Sequence, residues 1–274
     1  MRSAGAPRST GFQLDDMPMA RRTSYVSGTP DGYDTSGSYS SPPCYQHEFD
    51  EAEAPSAGTD TLPGDPNVEP APQQWSEIRS WRKQTREVLI ARRVALAPHV
   101  RRAQGEQAKL RMMEAVDFKP YATLGIYWPI RGEIDVRDLA RKHIESGGRV
   151  ALPVVVSRSA PVEFWRWRPG IGMRRGIWNI PIPAEREVLV PDVLVIPLVG
   201  FDTAGYRLGY GGGYYDRTIA AAPRRPLCVG LGYAQSHLQT IYPQAHDIPM
   251  DLIVTDRLVQ RRLATPDVKP ADVR

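Results

Sequence analysis

The sequence predicts an α/β fold: a single domain with a mostly parallel central sheet covered by helices. Three observations carry this. Apolar runs of strand length alternate with segments of helical spacing across residues 75–256. Runs such as "RVALPVVV" and "DVLVIPLVGFD" are continuously apolar apart from their charged ends, as expected of strands covered on both faces. A glycine-rich segment, "RLGYGGGYYDR" (207–217), stands between an apolar strand and a helix.

The elements follow in order. "WSEIRSWRKQTREVLIARRVAL" (75–96) is a helix stopped at Pro98. Trp81, Thr85 and Leu89 share one face, and Arg79, Arg82, Arg86 and Arg93 form a separate basic stripe, either a solvated face or a contact for an anion. A second helix runs from His99 to about Glu114. "ATLGIYW" (122–128) is a strand, and "DVRDLARKHIES" (135–146) is a helix capped by Asp135 and closed by Gly147–Gly148. Residues 149–156 and 162–169 are strands, and Phe164, Trp165 and Trp167 read as strand packing. Residues 192–202 form a buried strand feeding the glycine segment, and 214–222 form the helix after it. Further strands cover 226–233 and 251–256.

Charge divides the chain. Residues 1–74 hold 4 Lys/Arg against 11 Asp/Glu, ten of the 26 prolines and only four Leu, Ile or Val. Such a segment cannot bury enough apolar surface to offset its chain entropy. It predicts a disordered acidic tail over 1–72, or a start codon placed too far upstream. Arg2 and Arg8 suggest an organelle transit segment, a pattern that Asp15 and Asp16 break. The domain spans 73–262, with a short tail at 263–274. Since the whole chain is +4 and residues 1–74 are −7, residues 75–274 carry +11.

A basic domain calls for an anionic partner. No zinc-finger, RRM or KH pattern is present and the basic residues form no block, so small phosphorylated molecules are expected and nucleic acid is not. No apolar run reaches the roughly 18 residues of a membrane span. Cys44 and Cys228 match neither a zinc spacing nor a disulfide framework, which points to a reducing compartment.

The order strand, loop, glycine run, helix suits a phosphate. Ligands of open α/β sheets lie beyond the carboxyl ends of the strands. Glycines there let backbone N–H groups approach a phosphate with no Cβ between, and a helix amino terminus adds its positive end. Arg207 and Arg217 can neutralise phosphate oxygens, and Asp216 can hold Mg²⁺. The segment is neither a Walker loop nor a dinucleotide fingerprint, because no G-K-[ST] follows and Tyr214 stands where the third glycine would fall. A plain glycine-rich packed turn is the competing reading. Read alone, Glu133 divides evenly between a solvated first-turn carboxylate and a site residue. Trp128 could be core, and His246 with Asp247 could cap a turn.

"FDTAGYRLGYGGGYYDR" (201–217) resembles the hallmark of the 5-formyltetrahydrofolate cyclo-ligase (methenyltetrahydrofolate synthetase) family, and weaker pieces follow the family's order over roughly residues 78–256. The resemblance implies a Rossmann-like sheet of the CoA-transferase type. It implies ATP- and Mg²⁺-dependent closure of 5-formyltetrahydrofolate to 5,10-methenyltetrahydrofolate through phosphorylation of the formyl oxygen. It places ATP on Arg82, Arg86, Arg207, Leu208, Gly209, Tyr210, Gly211, Gly212, Gly213, Tyr214 and Tyr215. Arg82 stands where the family has Lys, and Lys83 is an alternative partner. The folate falls to Trp128 and Glu133 of "YWPIRGEID", with Tyr210 to Tyr214. Asp216, and Asp247 of "HDIPMDLIVTD", would bind Mg²⁺, while Arg207 and Arg217 would be catalytic. Where the family has "G-I-x-E-P", this chain has "GIWNIP" with Asn179 in place of the acid. Partners are then reduced folate and ATP, for a cytoplasmic monomer. Two alternatives remain at this stage: a folate- or nucleotide-binding homologue without catalysis, favoured by Arg82 and Asn179, and a related ATP-dependent ligase on another carbonyl.

Overall fold

The computed structural model describes residues 75–262. The expectations for the tails at 1–72 and 263–274, and for Cys44, lie outside the described residues.

Helix α1 (Trp75–Ala95) stops short of Pro98, which opens α2 (Pro98–Ala115) from its first turn, where a missing N–H costs nothing. Strand β1 (Thr123–Gly125) is shorter than the expected 122–128. Beyond Gly125 the chain leaves the sheet as the loop that carries Trp128 and Glu133. Helix α3 (Arg137–Glu145) begins after Val136, one residue later than an Asp135 cap requires. Asp135 Oδ1 instead accepts the Arg137 N–H at 3.0 Å. Gly147, at φ +92°, closes the helix in the left-handed conformation that a glycine adopts without strain.

Strands β2 (Arg149–Val154) and β3 (Glu163–Trp167) form an antiparallel pair. A small hairpin, β4 (Met173–Arg175) and β5 (Pro181–Pro183), precedes β6 (Val188–Leu189). The expected long strand 192–202 divides into β7 (Val193–Pro197) and β8 (Gly200–Asp202), which belong to different sheets. Then come β9 (Arg207–Leu208), α4 (Tyr214–Ala221), β10 (Leu227–Leu231), β11 (His237–Leu238), β12 (Leu252–Val254) and β13 (Val259–Arg261).

The main sheet runs β13-β12-β10-β7-β1-β2-β3-β6. Its centre, β12 to β2, is parallel throughout, and the edge strands are antiparallel. Along β7 the burial alternates by face. Val193 and Val195 join the cluster under α2 and α3, and Leu194 and Ile196 join the cluster that includes Ile219 of α4. That period of two is what a strand covered on both sides requires. Phe164, Trp165 and Trp167 are buried in the strand, in keeping with packing. A second sheet, β11-β8-β9, carries α1 through Leu89, Val199, Leu208 and Ile241. Asp202, fully buried, organises it by accepting the N–H groups of Ala204, Tyr206 and Ile241.

Packing at the sheet centre is tight enough to test. A Cβ on Gly125 would stand 2.6 Å from Leu194 Cδ2 and 3.0 Å from both Phe164 and Pro191. Gly125→Ala is expected to destabilise by about 1–3 kcal/mol in urea unfolding. An unchanged midpoint would show that the layer over β1 yields freely.

Candidate active site

The loops that matter leave the carboxyl ends of neighbouring parallel strands. Glu133 follows β1, the glycine segment follows β7 by way of β8 and β9, and Tyr233 follows β10. The Tyr233 hydroxyl donates to Gly132 O at 3.0 Å and joins two of these exits.

Helix α1 faces them with arginines. The basic stripe divides: Arg82 and Arg93 are 7% and 2% exposed, Arg86 is half-buried, and Arg79 stays exposed. Arg82 donates to Ile241 O (3.0 Å), Tyr242 O (2.8 Å) and Asp247 Oδ2 (2.6 Å). One turn on, Arg86 donates through Nε to Gly209 O at 2.8 Å. Its guanidinium carbon lies 3.4 Å from where a Cβ on Gly211 would stand. Arg93 donates to Arg131 O, Leu198 O and the Tyr210 hydroxyl.

In the glycine segment, Gly211 (φ +98°) and Gly213 (φ +61°) occupy the left-handed region, and α4 starts directly after Gly213. Gly212 does not occupy it. An added Cβ there would meet the Tyr214 ring at 2.7 Å. At Gly209 a Cβ would meet nothing within 4 Å, so open space lies beside the Arg86 contact. The Tyr214 ring lies between the Arg217 guanidinium, 4.9 Å from its centroid, and the edge-on Trp178 at 5.6 Å. Arg217 Nη2 donates to Gly212 O, while Arg217 Nε and the Tyr214 hydroxyl are buried without partners. Trp178 and Asn179, the divergent "WN" of the sequence, are both left-handed in the β4–β5 turn. Strain of that kind persists where the surroundings hold it, often at ligand sites.

The acids lie among these cations. Asp216 Oδ1 pairs with Arg207 Nη2 at 2.8 Å and accepts the Ile248 N–H, and Arg207 also donates to Ile248 O. Asp247 Oδ2 accepts from Arg82 and from the Gln244 N–H. Asp216 and Asp247 thus meet around residues 247–248, each using one oxygen for its hydrogen bonds. The described residues hold no group of three or more His, Cys, Asp or Glu that would by itself bind a metal. Glu133 is not solvated: its side chain is 2% exposed. Burial raises its pKa, and the Arg93 charge, the Ile130 N–H and the Tyr210 hydroxyl pull it back. Trp128 packs partly buried against the core with Arg137 over its ring, and the hydrogen-bonded group around Glu133 does not include it. His246 lies 4.0 Å from Asp247 Oδ1, and its ring meets the edge of Trp75. Burial pushes the Cys228 thiol up to about 12, which fits an inert core cysteine.

With Arg131, whose guanidinium lies 5.9 Å from the Tyr210 ring centroid, six arginines (82, 86, 93, 131, 207 and 217) and three carboxylates (133, 216 and 247) gather beside the glycine segment. The fold and site define a class: an α/β protein whose loops at the carboxyl edge of its parallel strands gather arginines and carboxylates beside a glycine segment. Residues 78–256 match the 5-formyltetrahydrofolate cyclo-ligase family, and the chain belongs to that family. Its members are ATP-dependent ligases of folate one-carbon metabolism that close 5-formyltetrahydrofolate to 5,10-methenyltetrahydrofolate.

The Escherichia coli K12 5-formyltetrahydrofolate cyclo-ligase is 34% identical over 175 residues, covering 61% of this chain and 96% of the relative. The Mycolicibacterium smegmatis enzyme of that name is 30% identical over 144 residues, 49% of this chain and 74% of the relative. The solution structure of Aquifex aeolicus 5,10-methenyltetrahydrofolate synthetase superposes with a TM-score of 0.60 at 27% identity, over 70% of this chain and 98% of that one. No helix among the described residues is long and apolar enough to cross a membrane.

The Arg82–Asp247 pair yields a prediction. Breaking a buried pair by removing one partner typically costs about 3–5 kcal/mol, because the other charge stays behind. Arg82→Met is expected to lower unfolding stability by that order, and Arg82→Met/Asp247→Asn to recover part of the loss. A change below about 1 kcal/mol would class the contact with screened surface pairs.

Proposed function

We propose that this chain phosphorylates the formyl oxygen of 5-formyltetrahydrofolate from ATP and closes the ring, with the triphosphate on residues 207–217 and the folate against Glu133. One observation carries the reading: the space beside Gly209 is open and the Arg86 guanidinium is fixed next to it. A packed turn would fill that space. Gly211 and Gly213 take the left-handed backbone that phosphate-binding loops use to turn successive N–H groups towards an anion. The partnerless Arg217 Nε and Tyr214 hydroxyl are buried donors suited to phosphate oxygens. Rossmann-like topology, a domain over 73–262, a monomeric state and a cytoplasmic location belong to the same proposal, supported by the parallel core and the match over 78–256.

The residues fit Mg²⁺. This ion takes one or two carboxylate oxygens and completes its shell with waters and substrate phosphates, and Asp216 and Asp247 each keep one oxygen outside their hydrogen bonds. When bound, Mg²⁺ would neutralise charge on the phosphates. Arg207 and Arg217 are the catalytic pair, stabilising charge on the transferred phosphoryl group. Arg207 is also tied to Asp216 and Ile248 O, so its position is fixed before substrate arrives. Arg82 is committed to Asp247 and holds the second carboxylate in place, which leaves Arg86 as the helix residue nearest the nucleotide.

The formyl oxygen attacks the γ-phosphorus and ADP departs. N10 then attacks the formyl carbon and loses its proton. The carbon–oxygen bond breaks, phosphate leaves, and the methenyl cation remains. The side chains position substrates and neutralise charge, and no covalent nucleophile is needed.

Purified protein with ATP, Mg²⁺ and 5-formyltetrahydrofolate is expected to develop the near-ultraviolet absorbance of the methenyl product. Binding without turnover would support a non-catalytic homologue, and neither would support another carbonyl substrate. Asp216→Asn is expected to cut turnover by orders of magnitude while folate binding measured without ATP stays unchanged. Equal loss of both would make Asp216 a structural acid.

A further inference from the structure

We propose that Arg93 is a positioning residue for Glu133 and acts through the hydroxyl of Tyr210. Arg93 and Glu133 are both almost wholly buried, yet the nearest guanidinium nitrogen is 4.0 Å from Glu133 Oε1, too far for a hydrogen bond. Tyr210 fills the gap. Arg93 Nη2 donates to its hydroxyl at 2.8 Å, and the hydroxyl donates to Glu133 Oε1 at 2.7 Å. Guanidinium can only donate, so it occupies an acceptor position of the hydroxyl and turns the single hydroxyl proton towards Glu133. The Ile130 N–H holds Oε2 at 2.9 Å. Each carboxylate oxygen is therefore oriented by one donor and keeps an acceptor position for a substrate N–H.

Arg93 also fixes where this happens. Its Nε and Nη1 hold Arg131 O and Leu198 O, at the exits of β1 and β7, and Tyr210 belongs to the glycine segment. The residue thus joins the loop proposed for folate to the loop proposed for ATP. Burial raises the pKa of Glu133, while the Arg93 charge, the Ile130 N–H and the Tyr210 hydroxyl favour its charged form.

The inference rests on the reading of Glu133 as a folate contact, and the experiment separates the two. Steady-state kinetics are run from about pH 5 to 9 with folate and ATP varied in turn, alongside thermal melts. The variants are Tyr210→Phe, Arg93→Met, Arg93→Lys, the double Tyr210→Phe/Arg93→Met, and Glu133→Gln. Tyr210→Phe removes only the hydroxyl and leaves both backbone bonds of Arg93, so it decides the matter even if Arg93→Met fails to fold.

The expected result for Tyr210→Phe is a folate KM raised roughly ten- to a hundredfold, the range for losing a hydrogen bond to a charged group. ATP KM rises much less, because the substitution keeps the backbone of residue 210 in the glycine segment. The acid limb of kcat/KM moves to higher pH, because Glu133 loses a group that favours its charged form. Arg93→Met shifts the limb in the same direction, Arg93→Lys shifts it less, and the double variant is no worse than Arg93→Met. Glu133→Gln removes the limb. Wild-type folate KM and acid limb in Tyr210→Phe, with a raised folate KM in Glu133→Gln, would overturn the positioning role and leave the folate contact standing. A wild-type profile in Glu133→Gln would overturn both. A lowered melting temperature with both KM values raised and the limb unmoved would make Arg93 merely structural.

Discussion

Helix α1 buries a face that is charged. Arg82, Arg86 and Arg93 turn inward with Leu89, and the architecture of the site depends on where their guanidinium groups go. Removing such groups from water costs several kcal/mol each, so each must be met by well-placed acceptors. Arg82 and Arg93 find three apiece, mostly backbone carbonyls on loops that would otherwise be separate. The demand for acceptors is thus what ties residues 241–247, 209, 131 and 198 to one helix. Apolar contact comes from a small cluster around Leu89 and from the Trp81 ring against Tyr242, and it seats the helix without specifying these distances.

The same arrangement concentrates positive charge without collapse. Six arginines lie near one another because three carboxylates and a set of carbonyls are interleaved with them. What remains is a surplus suited to a polyanion. The glycine segment completes it, because glycine takes the left-handed conformations at 211 and 213 without strain and leaves the backbone accessible. Tyr210 and Tyr214 use the two sides of that segment differently. Tyr210 sends its hydroxyl towards Glu133, and Tyr214 is held between Arg217 and Trp178.

Much of this was legible in the sequence, for identifiable reasons. The parallel core declared itself through runs apolar on both faces, and the two long helices through spacing and Pro98. The glycine segment showed its chemistry because its residue types have few other uses together. The break at Pro197–Gly200 was not legible, since "VIPLVG" is apolar on both sides of the point where the chain changes sheets. The direction of the arginine stripe was also hidden. Amphipathic reading assumes that charge faces water, and here the acceptors that reverse the rule lie more than a hundred residues away in sequence. Tyr233, and the part Arg93 plays within the stripe, were not legible because most of their partners are backbone carbonyls, which every residue carries. Trp178 and Asn179 stand out in the sequence only as a departure, and although Asn favours a left-handed backbone, nothing in the residue type of Trp178 marks one.

The claim at the centre of this account is that the open backbone beside Arg86 is space for a phosphate. Gly209→Ala tests it most directly, because an added methyl meets no protein atom within 4 Å and the position carries no left-handed φ. The folded protein should therefore keep its stability to within about 0.5 kcal/mol, as substitutions free of clashes and strain do. Titration of ATP with Mg²⁺ on the same preparation should show affinity falling at least tenfold. Wild-type ATP affinity in a variant of wild-type stability would contradict the account.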